Sequence, residues 1–288
     1  MFKKLLGLLG FIACVGAYAG PIHIVAAENF YGKVAEQLGG PYVQVTSILQ
    51  NPQQDPHLFS SSPETAKAIA NAQFIVYNGL GYDSWINNLI AAANPKSKHI
   101  IVVGDLTGKA MGDNPHIWYD PKTMFTYAIY LAAQLSQIDP SHQEYYQRQL
   151  EAFKVEYQTL LQKIQQLHDQ YHGAAVIATE PVFNYMSDAL GLSMNGQGFQ
   201  TSIMNDTEPS VSDIKNFEDK LKNRQVVVLI YNNQVTNPAT DRMKNIAEKS
   251  HIPIVGVSET EPLDQDYVTW MLNQLNDLDH ALSKNQKK

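Results

Sequence analysis

Cysteine is almost absent from this 288-residue chain, and the single one, Cys14, lies close to the N-terminus. No disulfide framework and no thiolate cluster can be built, so any metal held by the body of the chain must be held by nitrogen and oxygen. Long apolar runs are also missing. The longest, Leu5 to Val15, falls short of the ~18 to 20 uninterrupted apolar residues that a membrane helix needs. Basic runs are equally scarce: none exceeds Lys287-Lys288, and the formal net charge is −7. This excludes the electrostatic footprint of a nucleic-acid binder. An acidic surface favours cations in general, but it does not by itself indicate a metal site. No internal sequence repeat and no low-complexity segment interrupts the chain.

The chain opens with the pattern of an export signal: Lys3 and Lys4, the apolar stretch to Val15, then Ala17-Tyr18-Ala19 before Gly20. Residues 1–19 are therefore expected to be removed and the mature, soluble protein to begin at Gly20. An alternative is that Phe11-Ile12-Ala13-Cys14 acts as a lipoprotein cleavage box, with Cys14 becoming a lipid anchor. The mature chain is long enough for two lobes of ordinary domain size.

Apolar runs and helical patterns alternate. Strands are expected at Ile22 to Ala27, Tyr42 to Leu49, Phe74 to Tyr77 and Ile100 to Val103, with helices near Phe30 to Leu38, Pro63 to Asn71 and Trp85 to Ala93. Ser62-Pro63-Glu64 supplies a capping hydroxyl, a proline at the first helical position and an acidic first turn. Asp120-Pro121 is read as opening a helix the same way. From Ser141 to Tyr171, apolar residues recur at spacings of three and four, from Tyr146 through Phe153, Tyr157 and Ile164 to Tyr171. Such a helix would reach about 45 Å, enough to run along both lobes. After Gly173 the pattern restarts, with strands at Ala174 to Ala178, Val226 to Tyr231 and Ile252 to Val257 and helices near Val182 to Leu190, Val211 to Lys222, Pro238 to Ser250 and Tyr267 to Lys284. The expected fold is α/β: two lobes with mostly parallel sheets, 20–140 and 173–288, bridged by one long rigid helix, 141–172.

Two Pro-His signatures stand out, Asp55-Pro56-His57 and Asn114-Pro115-His116. Each presents an imidazole from a proline-stiffened loop just past a strand. Open α/β sheets bind ligands at the carboxyl ends of their strands. Glu180 and Glu259 come after strands of the second lobe in the same way, so all four side chains point to the cleft between lobes. Two imidazoles and two carboxylates suffice for a divalent transition metal.

With these residues in view, the chain resembles the metal-binding components of bacterial zinc and manganese ABC importers over essentially its whole mature length. The resemblance is carried by Asp55-Pro56-His57 with Ser62-Pro63-Glu64, by Asn114-Pro115-His116-Ile117-Trp118 with Asp120-Pro121, and by Glu180-Pro181-Val182-Phe183-Asn184-Tyr185. It implies two Rossmann-like lobes, one Zn²⁺ or Mn²⁺ held by His57, His116, Glu180 and Glu259, and delivery to a membrane ABC permease by a periplasmic monomer that is not an enzyme. Glu261 is an alternative to Glu259. The segment Gly104 to Asn114 is short and lacks the His-rich loop of many zinc importers, and a glutamate at 180 resembles the manganese branch. Zn²⁺ nevertheless outranks Mn²⁺ on the affinity ladder for such donors.

Each residue also has a plainer reading. His57 and His116 could serve loop bonding or packing beside Trp118, Glu180 could cap the next helix, and Glu259 could be a solvated acid. His168 and His172, four apart on a helix, lack the glutamate of a metalloprotease motif and suit a helix C-terminus. Ser210 with Asp213 reads as a capping box. Two other function classes use the same residues: a metal-dependent hydrolase with Glu259 as general base, and a surface-displayed adhesin.

Overall fold

The computed structural model describes residues 20–51, 59–93, 99–235 and 237–286. The export signal with Cys14, and the Asp55-Pro56-His57 signature, lie outside the described residues. Strands β1 (Ile22–Glu28), β2 (Val43–Leu49), β3 (Phe74–Tyr77) and β4 (His99–Val102) form one parallel sheet in the order β2-β1-β3-β4. Strands β5 (Ala175–Ala178), β6 (Ser193–Asn195), β7 (Val228–Asn232) and β8 (Ile254–Val257) form a second, β6-β5-β7-β8. The topology is thus repeated where the sequence is not. In each sheet the winding reverses beside the first strand, which opens a crevice at the strands' carboxyl ends. All five residues of β7 are buried, as its unbroken apolar run demands of a strand covered on both faces.

Three apolar layers hold the molecule together. Helices α2 (Pro63–Asn71) and α3 (Trp85–Ala93) cover the outer face of the first sheet through Ile69 and Ile86. The outer face of the second is covered by α7 (Gln197–Met204), α8 (Val211–Lys222) and α9 (Pro238–Lys249), through Phe199, Phe217 and Met243. Between the sheets runs one continuous core that includes α1 (Asn29–Gly39), α4 (Thr123–Ile138), α5 (Gln143–Tyr171), the short α6 (Asn184–Ala189) through Met186, and α10 (Tyr267–Gln286).

Helix α5 is the expected long helix, 29 residues from end to end. Its stripe Tyr146, Phe153, Tyr157, Leu160, Ile164, Leu167 and Tyr171 is buried, each large side chain contributing about 1.5 to 3 kcal/mol relative to exposure. It packs on α1 and α4 of the first lobe and on α10 of the second. Polar contacts reinforce both sides: Tyr157 Oη donates to the Pro121 carbonyl (2.8 Å), while Lys163 Nζ and Tyr171 Oη each donate to the Asp279 carboxylate (2.7 Å). Because α10 also rests on α1, the lobes are tied twice.

Three local expectations are corrected. Asp120-Pro121 does not open α4; the helix starts at Thr123, with Lys122 in the cap position and no capping side chain. Asp120 instead closes a turn, accepting from Lys122 N (3.0 Å), and pairs with Lys109. Ser210 accepts from Asp213 N (3.1 Å), but its hydroxyl also bonds the Asp213 carboxylate, so the capping box is only half made. A reciprocal box closes instead at the start of α9 between Asn237 and Thr240. Finally, β6 and α7 fill the interval 193–204. Three residues of strand beside Gly191 and Gly196 are too few to show a period.

Candidate metal centre

Every residue of the centre is delivered by a strand end. Glu28 ends β1 and Asn232 ends β7, Glu180 and Glu259 each lie two residues past a strand of the second sheet, and His116 comes from the loop after β4. All five are at most 4 % exposed. Sequestration this deep forces each polar group to find a partner or to be held for one.

The imidazole of His116 is oriented by Asn114. Asn114 Nδ2 donates to the Pro181 carbonyl (2.7 Å), which fixes the amide with its oxygen toward the histidine. That oxygen accepts the His116 backbone N–H (3.1 Å) and lies 2.7 Å from Nδ1. An amide oxygen only accepts, so the ring proton sits on Nδ1 and Nε2 carries a lone pair. Nε2 is buried and, among the described residues, has no hydrogen-bond partner. The loop itself is gripped from both lobes: Asn78 Nδ2 donates to the Pro115 carbonyl (2.9 Å) and Tyr185 Oη to the Asn114 carbonyl (2.8 Å).

Nε2 of His116 faces Glu259 Oε2 at 3.5 Å. The same oxygen accepts from Tyr82 Oη (2.9 Å), and Oε1 accepts from Asn232 Nδ2 (2.7 Å). Burial, then the Glu259 charge, pushes the Tyr82 phenol well above its ordinary range, so it remains a donor. Gln234 Oε1 receives the backbone N–H of Glu259 (2.6 Å) and Thr260 (2.8 Å), fixing the loop. Glu180 Oε2 accepts from the same Asn232 amide. Its side chain caps no helix, although its backbone holds the cap position of the 3-10 turn Pro181–Phe183.

The described residues thus bring His116 and Glu259 face to face and join Glu180 to Glu259 through Asn232. Among them, no three His, Cys, Asp or Glu side chains form a group able to hold a metal; His57 lies outside the described residues. Glu261 turns away from His116 to α1, where Asn29 clamps its peptide by donating to its carbonyl (2.6 Å) and accepting its N–H (3.1 Å). Burial raises the Glu261 carboxyl to about 8, against the lowering influence of Lys33. His168 and His172 stack edge to face at the end of α5, with ring centroids 5.2 Å apart; His168 Nδ1 lies 3.4 Å from Asp169 Oδ1, and among the described residues these side chains form no group able to hold a metal.

Beside the centre lies a second acidic feature. Asp83 accepts the N–H groups of Asn78 (2.5 Å) and Gly79 (2.9 Å), closing the turn that carries Tyr82. Among the described residues, neither oxygen of its buried neighbour Glu28 is in a well-formed hydrogen bond. Two such carboxyls bond only by holding a proton between them. Burial raises both, Glu28 well above the usual range with Asp83 adding to the rise, and Asp83 to about 6 against the lowering effect of its backbone donors.

Sequence reasoning missed Asn232, Tyr82 and the Glu28–Asp83 pair. Asn232 and Glu28 were within reach of the strand-end rule that found Glu180 and Glu259. An amide passes unnoticed when only ligand-type side chains are sought. Tyr82 sits in a glycine-flanked turn whose destination across the cleft has no sequence signature.

The family described as "Zinc-uptake complex component A periplasmic" matches residues 24–281. Curated relatives include the metal ABC transporter substrate-binding lipoprotein FimA of Streptococcus parasanguinis, 25 % identical over 278 residues and covering 90 % of this chain and 88 % of that protein. The lipoprotein SloC of Streptococcus mutans is 27 % identical over 269 residues, with 86 % of this chain and 85 % of that protein covered. Among solved structures, the periplasmic zinc-binding protein TroA of Treponema pallidum superposes with a TM-score of 0.78 at 16 % identity, covering 91 % of this chain and 99 % of the other. A ZnuA crystal structure gives 0.73 at 21 % identity, covering 92 % and 98 %. These likenesses agree with the α/β fold of two parallel sheets and a long helix described above.

Proposed function

The chain belongs to the periplasmic zinc-uptake component A family, a family of substrate-binding components rather than enzymes, and on that premise we propose that it captures one divalent transition metal, Zn²⁺ or Mn²⁺, between its lobes and hands it to a membrane ABC permease. The ligands of this reading are His57, His116, Glu180 and Glu259, with the export signal removed after Ala19 and the mature chain a periplasmic monomer.

The supporting observation is the buried Nε2 lone pair of His116 turned toward the Glu259 carboxylate. Two acceptors in a dry site repel unless a cation stands between them. A proton can occupy that place, and so can a metal ion, because the other ring nitrogen of His116, Nδ1, is already anchored on Asn114 as in metal-ligating histidines. Four protein donors leave no open coordination position, which suits a carrier rather than a catalytic zinc site.

Native mass spectrometry with elemental analysis on protein purified without added metal tests the proposal. Wild type should carry one Zn or Mn per chain, and a His57→Ala, His116→Ala double variant none. No metal in either, or equal metal in both, would overturn it.

A further inference from the structure

Resting on that receptor reading, we propose that Asn29 is a positioning residue for metal capture: it fastens the loop that carries Glu259 to the lobe that carries His116, and so slows the ion's departure. Asn29 opens α1 immediately after Glu28, the last residue of β1. In the order β2-β1-β3-β4, β1 is the strand beside which the winding reverses. Asn29 therefore emerges at the crevice, where its side chain meets the other lobe.

The contact is a ring of two hydrogen bonds. Asn29 Nδ2 donates to the Glu261 carbonyl (2.6 Å), and Oδ1 accepts the Glu261 N–H (3.1 Å). Both backbone groups belong to one residue, and an extended residue turns its own N–H and C=O to the same side, as along a strand edge. Pro262 favours that conformation in the residue before it. Exchanging the nitrogen and oxygen of the amide would set donor against donor and acceptor against acceptor, so its orientation is fixed. Asn29 is 3 % exposed and Glu261 is fully buried, which keeps water from competing for either bond. Among the described residues, the side-chain hydrogen bonds of Asn29 go to Glu261 alone.

Glu259 lies two residues upstream, and its backbone is held from both lobes. Gln234 accepts its N–H from the second lobe. The first lobe holds the loop on either side of it, through Tyr119 Oη on the Ser258 carbonyl (2.7 Å) and through Asn29. The carboxylate facing His116 across 3.5 Å thus stands on a loop anchored to the lobe of His116 itself. Tyr119 also belongs to the core beneath the site, and Lys33, which bonds the Leu263 and Gln265 carbonyls farther along, is partly exposed. Asn29 is the buried anchor that serves the loop alone. Cutting it leaves the Glu259 carboxylate its bonds to Tyr82 and Asn232 and frees the peptide behind it. The acid then still reaches an arriving ion but holds it for less time.

Stopped-flow transfer of Zn²⁺ from loaded protein to excess chromophoric chelator gives the dissociation rate, and mixing with free Zn²⁺ gives the association rate. Wild type would be compared with Asn29→Ala and with Asn29→Leu, which is similar in size but has no polar side-chain atom. Dissociation should be about tenfold faster in both variants, with association changed less. Met243→Ala, which empties the outer core of the second sheet, should lose stability and keep the wild-type rates. Dissociation is read from loaded molecules only, so an unfolded fraction of a variant does not enter. In wild type, an open clamp should hold metal poorly, so hydrogen exchange of the Glu261 amide should slow as free Zn²⁺ rises above Kd. Wild-type dissociation in both Asn29 variants, an equal acceleration in Met243→Ala, or a Glu261 amide indifferent to bound Zn²⁺ would overturn the inference alone. A wild type that binds neither Zn²⁺ nor Mn²⁺ would overturn the receptor reading and this inference together.

Discussion

Nε2 of His116 and Oε2 of Glu259 stand 3.5 Å apart across the lobe boundary, and neither atom brings a hydrogen to the contact while the imidazole is neutral. Tyr82 and Asn232 hold the carboxylate and Asn114 holds the ring, so the two cannot swing away to relieve the repulsion. Holding these acceptors together costs stability that only a bound cation returns. A site built this way selects for occupancy.

Removing either partner should therefore cost metal affinity without unfolding the chain. His116→Ala and Glu259→Ala are each expected to weaken metal binding on the order of 100-fold or more, above the 10- to 100-fold typical of outer-shell changes. Glu259→Gln, which keeps the shape but not the charge, should fall between them and wild type. Because a proton and a metal compete for Nε2, affinity should also drop on acidification, by up to about tenfold per pH unit. Calorimetric titration of the variants across pH checks both. Unchanged affinity in His116→Ala would remove the histidine from the site.

Asn114 should matter through the ring it orients. Asn114→Ala removes the acceptor that keeps the ring proton on Nδ1, and about 10- to 100-fold in metal affinity should go with it. Asn114→Asp keeps an acceptor beside Nδ1 but loses the bond to the Pro181 carbonyl, so it should retain most of the affinity. Equal losses in the two variants would show that the tie to Pro181, and not the tautomer, is what counts.

The Glu28–Asp83 pair makes a prediction about stability against pH. Both carboxyls are raised in the folded protein, chiefly by burial. The folded state then binds more protons than the unfolded state above the ordinary carboxylate range. Stability from this pair is fully present below about pH 4 and is lost as pH rises through about 6, where Asp83 releases its proton. Glu28→Gln, a neutral donor that does not titrate, leaves Asp83 a hydrogen bond and removes like-charge coupling. Urea unfolding of metal-free protein at pH 4.5 and 7.5 should show the variant gaining on wild type at the higher pH. A variant that loses ground there would mean Glu28 is ionised in the fold.

Much of the fold was legible in the sequence. The helix Pro63–Asn71 was bounded to the residue because Ser62, Pro63 and Glu64 each act locally. The apolar runs of β3 and β7 declared strands, and the stripe on α5 declared its length. Asp120-Pro121 misled because an aspartate before a proline serves a turn as well as a cap, and the sequence does not say which carbonyl is left open. At the centre, His116, Glu180 and Glu259 could be placed at strand ends, but the network among them could not. Asn232 reaches Glu180 across 52 residues of chain and Tyr82 reaches Glu259 across 177. Such contacts are set by sheet order and lobe packing rather than by local propensity.

The double tie between lobes bears on how metal is released. In a hinged receptor, a few loop residues absorb the rotation and the lobes swing as rigid bodies. Here α5 buries one continuous stripe against α1 and α4 on one side and α10 on the other, and α10 itself rests on α1. Lys33 Nζ adds bonds from α1 to the carbonyls of Leu263 (2.7 Å) and Gln265 (3.0 Å), and Asn29 clamps the peptide of Glu261. A wide opening would have to shear this core, whose packing tolerates discrete shifts far better than sliding. Release is therefore expected to proceed by rearrangement of the ligand loops with little change in overall shape. X-ray scattering of metal-free and metal-loaded protein should give radii of gyration that agree within error, while hydrogen exchange should change at the segments around His116 and Glu259. A clear drop in radius on loading, with exchange in those segments unaltered, would establish hinge closure and overturn this account. Phe153→Ala supplies the positive control. Emptying a fully buried position in the middle of α5 should cost about 3 to 5 kcal/mol, and if the helix is the restraint, the variant should scatter as a more open molecule without metal than with it.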